Sequence, residues 1–439
     1  VSYTPNTEAD RREMLSGAGV SSVDELFPKE AKAASAPDLP PPLSEPELME
    51  HLESLSGRNK AGLVSFLGGG SYRHYVPSVV KHLTGRSEFY TSYTPYQPEL
   101  SQGVLQAIYE FQSMICSLTG MDAANASMYD GGSSAAEAVS LACRFTGKGK
   151  ALVSSALHPN YRAVVKTYGQ FSGWTAEDIP LSPSGIIDMK AALSAIDDDT
   201  ACAIVSQPNF FGCIEEELGE LADALHKRGA LMIVSVDPLS LGILKPPADC
   251  GADIVTGEAG YLGSPLSFGG PGLGIFAAKG DLLRFMPGRL SGATTDSQGR
   301  RGFVLTLQTR EQHIRRERAG SNICTNEALN ALATTAYLSA MGRRGLREAA
   351  EHCLQKANYA RRVLGGLKGY GIPFRAKVFK EFVLSMPVSP EKANRALLKK
   401  GFVGGLPLKN PAGSSLVCVT ELTKKSDIDA FSEALKGLK

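Results

Sequence analysis

Five short runs constrain what this chain can fold into. ALVSSAL, ACAIVSQ, LMIVSVD, ADIVTGE and GLGIFAA lie between Ala151 and Ala278, and they are apolar nearly throughout rather than alternating. Such strands need cover on both faces, and helix-like stretches between several of them, such as Glu215 to Arg228, can provide it. The fold class is therefore α/β with a large, mostly parallel sheet. Ahead of the runs, PELSQGVLQAIYEFQSMICSLTGM sets Leu100, Val104, Ile108, Phe111, Ile115 and Leu118 at helical spacing, and Gly120 stops the helix.

At 439 residues the chain is too long for one ordinary core. Residues 1–97 read as an arm with short helices, 98–325 as a large α/β domain and 326–439 as a small α+β domain. In the arm, Pro37, Pro40, Pro41 and Pro42 enforce an extended connector. Ser44 with Glu47 is a capping-box signature for the helix that follows, and Pro46 is tolerated in its first turn. A connector stiffened in this way suits an arm laid over another surface, a partner subunit included. The small domain is read from KEFVLSMPV, the helix SPEKANRALLKKG, SSLVCVTEL and a last helix KKSDIDAFSEALKGL.

Bulk properties set the surroundings. A hydrophobic content of 43%, a charged content of 21% and a formal net charge of +1 describe a soluble globular protein, with no reason to expect nucleic acid or an anionic membrane as partner. The eight cysteines show no metal-like spacing and mostly sit in apolar surroundings, which suits a reducing compartment. No apolar run approaches the ~20 residues of a membrane span, and VSYTPNTEADRREML is too polar for a secretory signal. A cytoplasmic protein is expected, although an organelle-matrix protein after loss of its transit peptide would read the same.

Four stretches carry candidate chemistry. YDGGSSAAEAVSLACR is a glycine-serine turn opening a helix, where the N–H groups of Gly131 to Ser134 and the hydroxyls of Ser133 and Ser134 either cradle a phosphate or simply cap the helix. His158 lies where a strand enters a helix, placed to stack on a flat cofactor or to act as a cap. Asp237 ends another strand, where a carboxylate can pair with a protonated pyridine nitrogen or cap the next turn. In SYTPYQPELSQG, Tyr93 and Tyr96 flank Pro95, and with Gln97 they form a stiff edge suited to binding. A fifth stretch, LQTREQHIRRERAGSNICTNEAL, alternates charges and reads as an ion-paired helix.

Asp237 followed by ADIVTGE resembles the approach to the aldehyde-binding lysine of a pyridoxal phosphate enzyme. No lysine follows, and the nearest are Lys245 and Lys279. Together with YTPNTEADRREML, TSYTPYQPELSQG, FQSMICSLTGMDAANASMYDGGSSAAEA, VDPLSLGILKPP, GADIVTGE, PLSFGGPGLG, LQTREQHIRRERAGSNICT and GFVGGLPL, the chain resembles the amino-terminal half, or the separate first subunit, of glycine decarboxylase, the P-protein of the glycine cleavage system.

The resemblance implies the fold type I architecture of pyridoxal-phosphate-dependent transferases, and a two-subunit form whose second subunit bears the lysine and holds the cofactor covalently. It implies a heterotetramer, glycine as substrate, and transfer of an aminomethyl group to the lipoyl arm of H-protein. Ser133, Ser134, His158 and Asp237 then become remnants of an ancestral cofactor site. Tyr93, Thr94, Tyr96 and Gln97 become residues lent across the interface to the partner's pocket. Two other readings stand beside it: a self-sufficient enzyme using Lys279, and a non-catalytic scaffold.

Overall fold

The computed structural model describes residues 5–28 and 38–438. Pro37 and the first residues of the amino-terminal motif lie outside them. The chain divides into two compact units, Val1–Ala61 and Gly62–Lys439. The first carries helices α1 (Glu8–Gly17) and α2 (Glu45–Gly57), each started by a reciprocal capping box, Thr7 with Asp10 and Ser44 with Glu47. No residue of either helix is buried, so Leu48, Met49, Leu52 and Leu55 of α2 are exposed.

The second unit opens with β1 (Val64–Ser65), α3 (Ser78–Thr84), α4 (Ser87–Tyr90) and α5 (Gln102–Thr119). Gly120 ends α5 at a φ of 74°, the left-handed stop expected of a glycine there. The buried stripe is Leu105, Ile108, Phe111 and Ile115, shifted from the predicted one at its start. Leu100 belongs to a preceding 3-10 turn and is 83% exposed, because the helix begins two residues later than its apolar spacing suggests.

Next come β2 (Ala123–Ala124), α6 (Gly131–Thr146), β3 (Lys150–Ser154), α7 (Pro159–Ser172), β4 (Thr175–Ile179) and α8 (Met189–Ala195). They are followed by β5 (Thr200–Gln207), α9 (Leu218–Lys227), β6 (Leu231–Val236), β7 (Ile254–Glu258) and β8 (Gly274–Ala278). These strands form one sheet in the order β2-β8-β7-β6-β5-β3-β4, parallel from β7 to β4, with β8 antiparallel to β7. Pleating sends alternate residues to opposite faces, and the core divides accordingly. Leu152, Val205, Val234 and Val255 pack on one face with Phe111 and Ile115 of α5 and Leu221 of α9. Val153, Ile204, Ile233 and Ile254 pack on the other with Val139 and Leu141 of α6 and Val165 of α7. Each apolar run is thus buried on both sides, as its composition required.

The antiparallel pair β9 (Leu290–Thr295) and β10 (Arg301–Thr306) leads into the arginine-rich stretch. That stretch is not a continuous ion-paired helix. It forms a 3-10 turn, the four-residue α10 (Gln312–Arg315) and another 3-10 turn, and Arg310 donates to the backbone carbonyls of Leu307, Met286 and Gly288. After the long α11 (Ala328–Gly365) come β11 (Glu381–Ser385), α12 (Pro390–Lys399), β12 (Phe402–Val403), β13 (Leu406–Leu408), β14 (Ser414–Cys418) and α13 (Lys425–Lys436). Strands β11, β14 and β13 make a three-stranded antiparallel sheet, and β12 pairs in parallel with β1.

The turn after β5 meets the residues leading into β11 at one tight point. Gly212 has a φ of 82°, its carbonyl accepts from the Phe379 N–H at 3.1 Å, and a Cβ there would overlap the carbonyl of Glu381. A side chain at Gly212 therefore meets both a disfavoured backbone conformation and a wall that cannot turn away. Gly212→Ala is expected to lower stability by about 2–4 kcal/mol in denaturant melts. An unchanged midpoint would show that this junction does not hold the small sheet in place.

Candidate functional site

The carboxyl ends of β3, β5, β6 and β7 form the edge where open α/β sheets place their ligand crevices. Asp237 sits there, directly after β6, but its carboxylate is already engaged. Oδ2 lies 2.6 Å from Nζ of Lys380, and Oδ1 accepts from the Tyr261 hydroxyl and from the Leu239 N–H. Lys380 is only 2% exposed. Its ammonium also lies 3.1 Å from Nε2 of His74 and 3.5 Å from the centre of the Tyr72 ring, so each of its three protons has a destination.

The charges around it follow from burial and pairing. Burial pushes the Asp237 carboxyl up, but the Lys380 charge and hydrogen bond, with help from Tyr261, hold it below its ordinary value. Burial and then Lys380 push His74 down. The neutral ring accepts from Lys380 and donates from Nδ1 to Glu421 at 2.7 Å. Beside Lys380, Glu381 accepts from the Gly69 N–H at 2.6 Å and the Tyr72 hydroxyl at 2.7 Å, yet burial pushes its carboxyl up to about 7.

The amino-terminal end of α6 is equally occupied. Glu258, at the end of β7, accepts from the N–H groups of Gly131 at 3.1 Å, Gly260 at 2.8 Å and Leu273 at 2.7 Å. The Ser133 N–H donates to Asp130, and the Ser134 hydroxyl turns inward to the Ile275 carbonyl. Ser133 thus bonds within the helix start and Ser134 to the sheet. His158 donates from Nε2 to the Gly69 carbonyl at 2.8 Å and accepts at Nδ1 from the Asn160 N–H, so it does cap its helix. Its ring lies 4.8 Å from Tyr161 and 5.1 Å from Phe210. The cavity among His158, Asp237, Tyr161 and Glu258 measures about 60 Å³, and a larger one of about 370 Å³ adjoins it along Tyr129, Asp130, His158, Tyr161 and Glu258.

The tyrosine edge lies on the stretch between α4 and α5. Tyr93 is 76% exposed and Tyr96 47%, while Pro95 is buried, Thr94 half-buried and Gln97 exposed. The Tyr96 oxygen accepts from Nη2 of Arg289 at 2.6 Å, and the guanidinium sits 5.1 Å from the ring centre. Arg289 is 2% exposed and lies 3.6 Å from the buried carboxylate of Glu311. Nε and Nη1 of Arg289 and Oε2 of Glu311 have no hydrogen-bond partner among the described residues.

The sequence pattern of the family described as Glycine cleavage system P-protein matches residues 1–435. The chain belongs to that family. A relative from Desulforamulus reducens, named "Probable glycine dehydrogenase (decarboxylating) subunit 1", is 52% identical over 99% of both chains. One of the same name from Geobacillus kaustophilus is 50% identical over 99% of this chain and 98% of its own. The crystal structure of a glycine decarboxylase (P-protein) in inhibitor-bound form superposes with a TM-score of 0.91 at 45% identity, covering 99% of each chain. A Burkholderia pseudomallei sphingosine-1-phosphate lyase, at TM-score 0.68, 15% identity and 93% of each chain, shares the fold alone.

The fold is thus the fold type I architecture of pyridoxal-phosphate-dependent enzymes, with a large mostly parallel sheet and a small antiparallel one. In this P-protein chain, however, the groups at three positions suited to that cofactor are engaged within the chain: Asp237 with Lys380, the Gly131 N–H with Glu258, and His158 with the Gly69 carbonyl. Lys279 does not supply the missing lysine. It pairs with Asp253 at 2.6 Å, at the end of β8, and β8 runs antiparallel to β7, so it lies at the opposite end of the sheet from Asp237. Lys245 is exposed. The residues that sequence reading missed are Lys380, Glu258, Tyr161 and Arg289; only Glu258, as the end of ADIVTGE, carried a positional hint.

The raised carboxyl of Glu381 has a consequence for stability. An unfolded glutamate releases its proton near 4.5, whereas this one keeps it until about 7, so between those values the unfolded chain binds fewer protons. Stability contributed by the protonated group is expected to fall as pH rises through that window, by up to about 3 kcal/mol. Glu381→Gln should flatten the decline in melts taken from pH 5 to 8. An equally steep decline in the variant would assign the effect elsewhere.

Proposed function

We propose that this chain is the lysine-lacking first subunit of a two-subunit glycine dehydrogenase (decarboxylating), with the cofactor held covalently by the second subunit in a heterotetramer. The observation that carries this reading is full-length identity of about half to relatives named as subunit 1. The pairing of Asp237 with Lys380 and of the Gly131 N–H with Glu258 within this chain supports it. Pyridoxal phosphate on the partner supplies the electron sink for decarboxylation of glycine, and the lipoyl arm of H-protein receives the aminomethyl group. The cytoplasm is the proposed compartment. All eight cysteines are free thiols, and no helix among the described residues is long and apolar enough to cross a membrane.

This chain's share is to complete the partner's pocket with Tyr93, Thr94, Tyr96 and Gln97. Tyr96 is suited to that task because its oxygen accepts from Arg289, leaving the phenol hydrogen free to donate outward from a half-exposed ring. Pro95 and Pro98 stiffen the backbone on either side, so little ordering remains to be done when substrate arrives.

Tyr96→Phe keeps the ring and removes the hydroxyl. In the assembled enzyme it is expected to lower turnover efficiency in glycine–bicarbonate exchange by roughly ten- to a hundred-fold, with gel filtration unchanged and the melting temperature lowered by a few degrees through loss of the Arg289 hydrogen bond. Unchanged exchange activity would exclude Tyr96 from the pocket. Loss of assembly together with activity would favour the scaffold reading.

A further inference from the structure

We infer that three side chains of this crevice occupy the positions a phosphorylated pyridine cofactor would use: Glu258 in place of the phosphate, Lys380 in place of the ring nitrogen, and Tyr161 in place of the ring. The inference does not depend on which residues the tyrosine edge lends to a partner.

Each substitution matches in charge or shape what it replaces. A phosphate at a helix amino terminus is held by backbone N–H groups, and the Glu258 carboxylate takes one of them, from Gly131 at the start of α6, together with the N–H groups of Gly260 and Leu273. Gly131 and Glu258 are 127 positions apart, so the contact is not a local cap. A protonated pyridine nitrogen presents one N–H and a positive charge to an aspartate, and the Lys380 ammonium presents both to Asp237 at 2.6 Å. A flat ring would lie against His158, and Tyr161 lies there at 4.8 Å with an interplanar angle of 35°. The Tyr161 hydroxyl and ring also fill the space that any Cβ at position 131 would need. Beside Asp237 only about 60 Å³ is left, which admits a few waters and no pyridine, whereas the adjoining cavity of about 370 Å³ along Tyr129, Asp130 and Glu258 does not include Asp237.

The positions are therefore kept in their ligand-bound electrostatic state without a ligand. An emptied site of this kind would leave buried donors and a buried carboxylate unpaired, which is unfavourable. Filling it from within the chain removes that penalty and also prevents this subunit from capturing cofactor.

The test uses the full chain with pyridoxamine 5′-phosphate and inorganic phosphate as probes. Pyridoxamine 5′-phosphate has no aldehyde, so surface lysines cannot trap it. In equilibrium dialysis the wild-type chain should take up neither probe at millimolar concentration. Glu258→Ala frees the three N–H groups. Its melting temperature should lie below wild type and rise by several degrees with either probe, but not with pyridoxamine, which lacks the phosphate. If the variant folds poorly, soluble yield on refolding should recover when phosphate is added.

A second variant addresses the ring-nitrogen position. Lys380→Met should melt well below wild type, and Lys380→Met with Asp237→Asn should recover much of the loss, because the lysine's task is to neutralise that carboxylate. The inference is overturned by stoichiometric uptake of pyridoxamine 5′-phosphate by the wild-type chain in competition with phosphate. It is overturned equally by a Glu258→Ala chain that neither phosphate nor pyridoxamine 5′-phosphate stabilises or helps to refold, or by Lys380→Met melting like wild type.

Discussion

The arrangement of the second unit depends on one buried ammonium. Lys380, just before β11, meets Asp237 from the end of β6, His74 and Tyr72 from the segment after β1, and through His74 it meets Glu421 beyond β14. Taking both charges of such a pair out of water carries a penalty of several kcal/mol per ion, recovered only when geometry and remaining hydrogen bonds are complete. Here they are complete. The net gain in stability from a pair of this kind is small, but loss of one partner typically costs about 3–5 kcal/mol, so the pair acts mainly to specify position. It fixes where the small antiparallel sheet meets the large one, and the close approach at Gly212 fits only that placement.

The large sheet was legible in the sequence because what makes it is local. Runs apolar on both faces announce strands covered on both faces, and the split of Leu152 from Val153 and of Val205 from Ile204 between two cores follows from the pleat. The capping box at Ser44 and the stop at Gly120 are likewise short-range signals. Strand ends also announced His158 and Asp237, since a polar residue closing an apolar strand has few places to face. Their partners were not legible. Lys380 lies 306 positions from His74, and Arg289 lies 193 from Tyr96. A lysine or arginine in sequence reads as a solvated surface group until the fold buries it. The arginine-rich stretch misled for the same reason: alternating charge suggested pairs along one helix, whereas Glu311 turns inward to Arg289 and Arg310 caps carbonyls.

The cysteines show how a bland composition becomes informative once burial is known. Cys213 is pushed up to about 12 and Cys143 to about 11, in both cases mainly by desolvation. Thiols held protonated this firmly are poor nucleophiles and poor metal ligands at neutral pH. His74, Cys353 and Glu421 do converge, but the Lys380 ammonium beside His74 already supplies the positive charge there. Cation binding would set two positive centres against each other, so this cluster is part of the packing around Lys380.

Two buried cations in this chain stand in opposite conditions, Lys380 fully hydrogen-bonded and Arg289 only in part. Lys380 has a partner for every proton. Arg289 spends Nη2 on Tyr96, while its Nε, 3.6 Å from Oε2 of Glu311, its Nη1 and that Oε2 have no hydrogen-bond partner among the described residues. Native proteins rarely bury polar atoms without satisfying them through protein, water or another molecule. The unfinished cluster lies under the exposed tyrosine edge, not under the crevice that the fold would suggest as the place for chemistry. On the proposed reading this follows from dividing one reaction between two subunits. If the second subunit holds the cofactor, as proposed, Lys380 neutralises Asp237 in its place, and the hydrogen bonds missing at Arg289 and Glu311 are left for the proposed partner to complete.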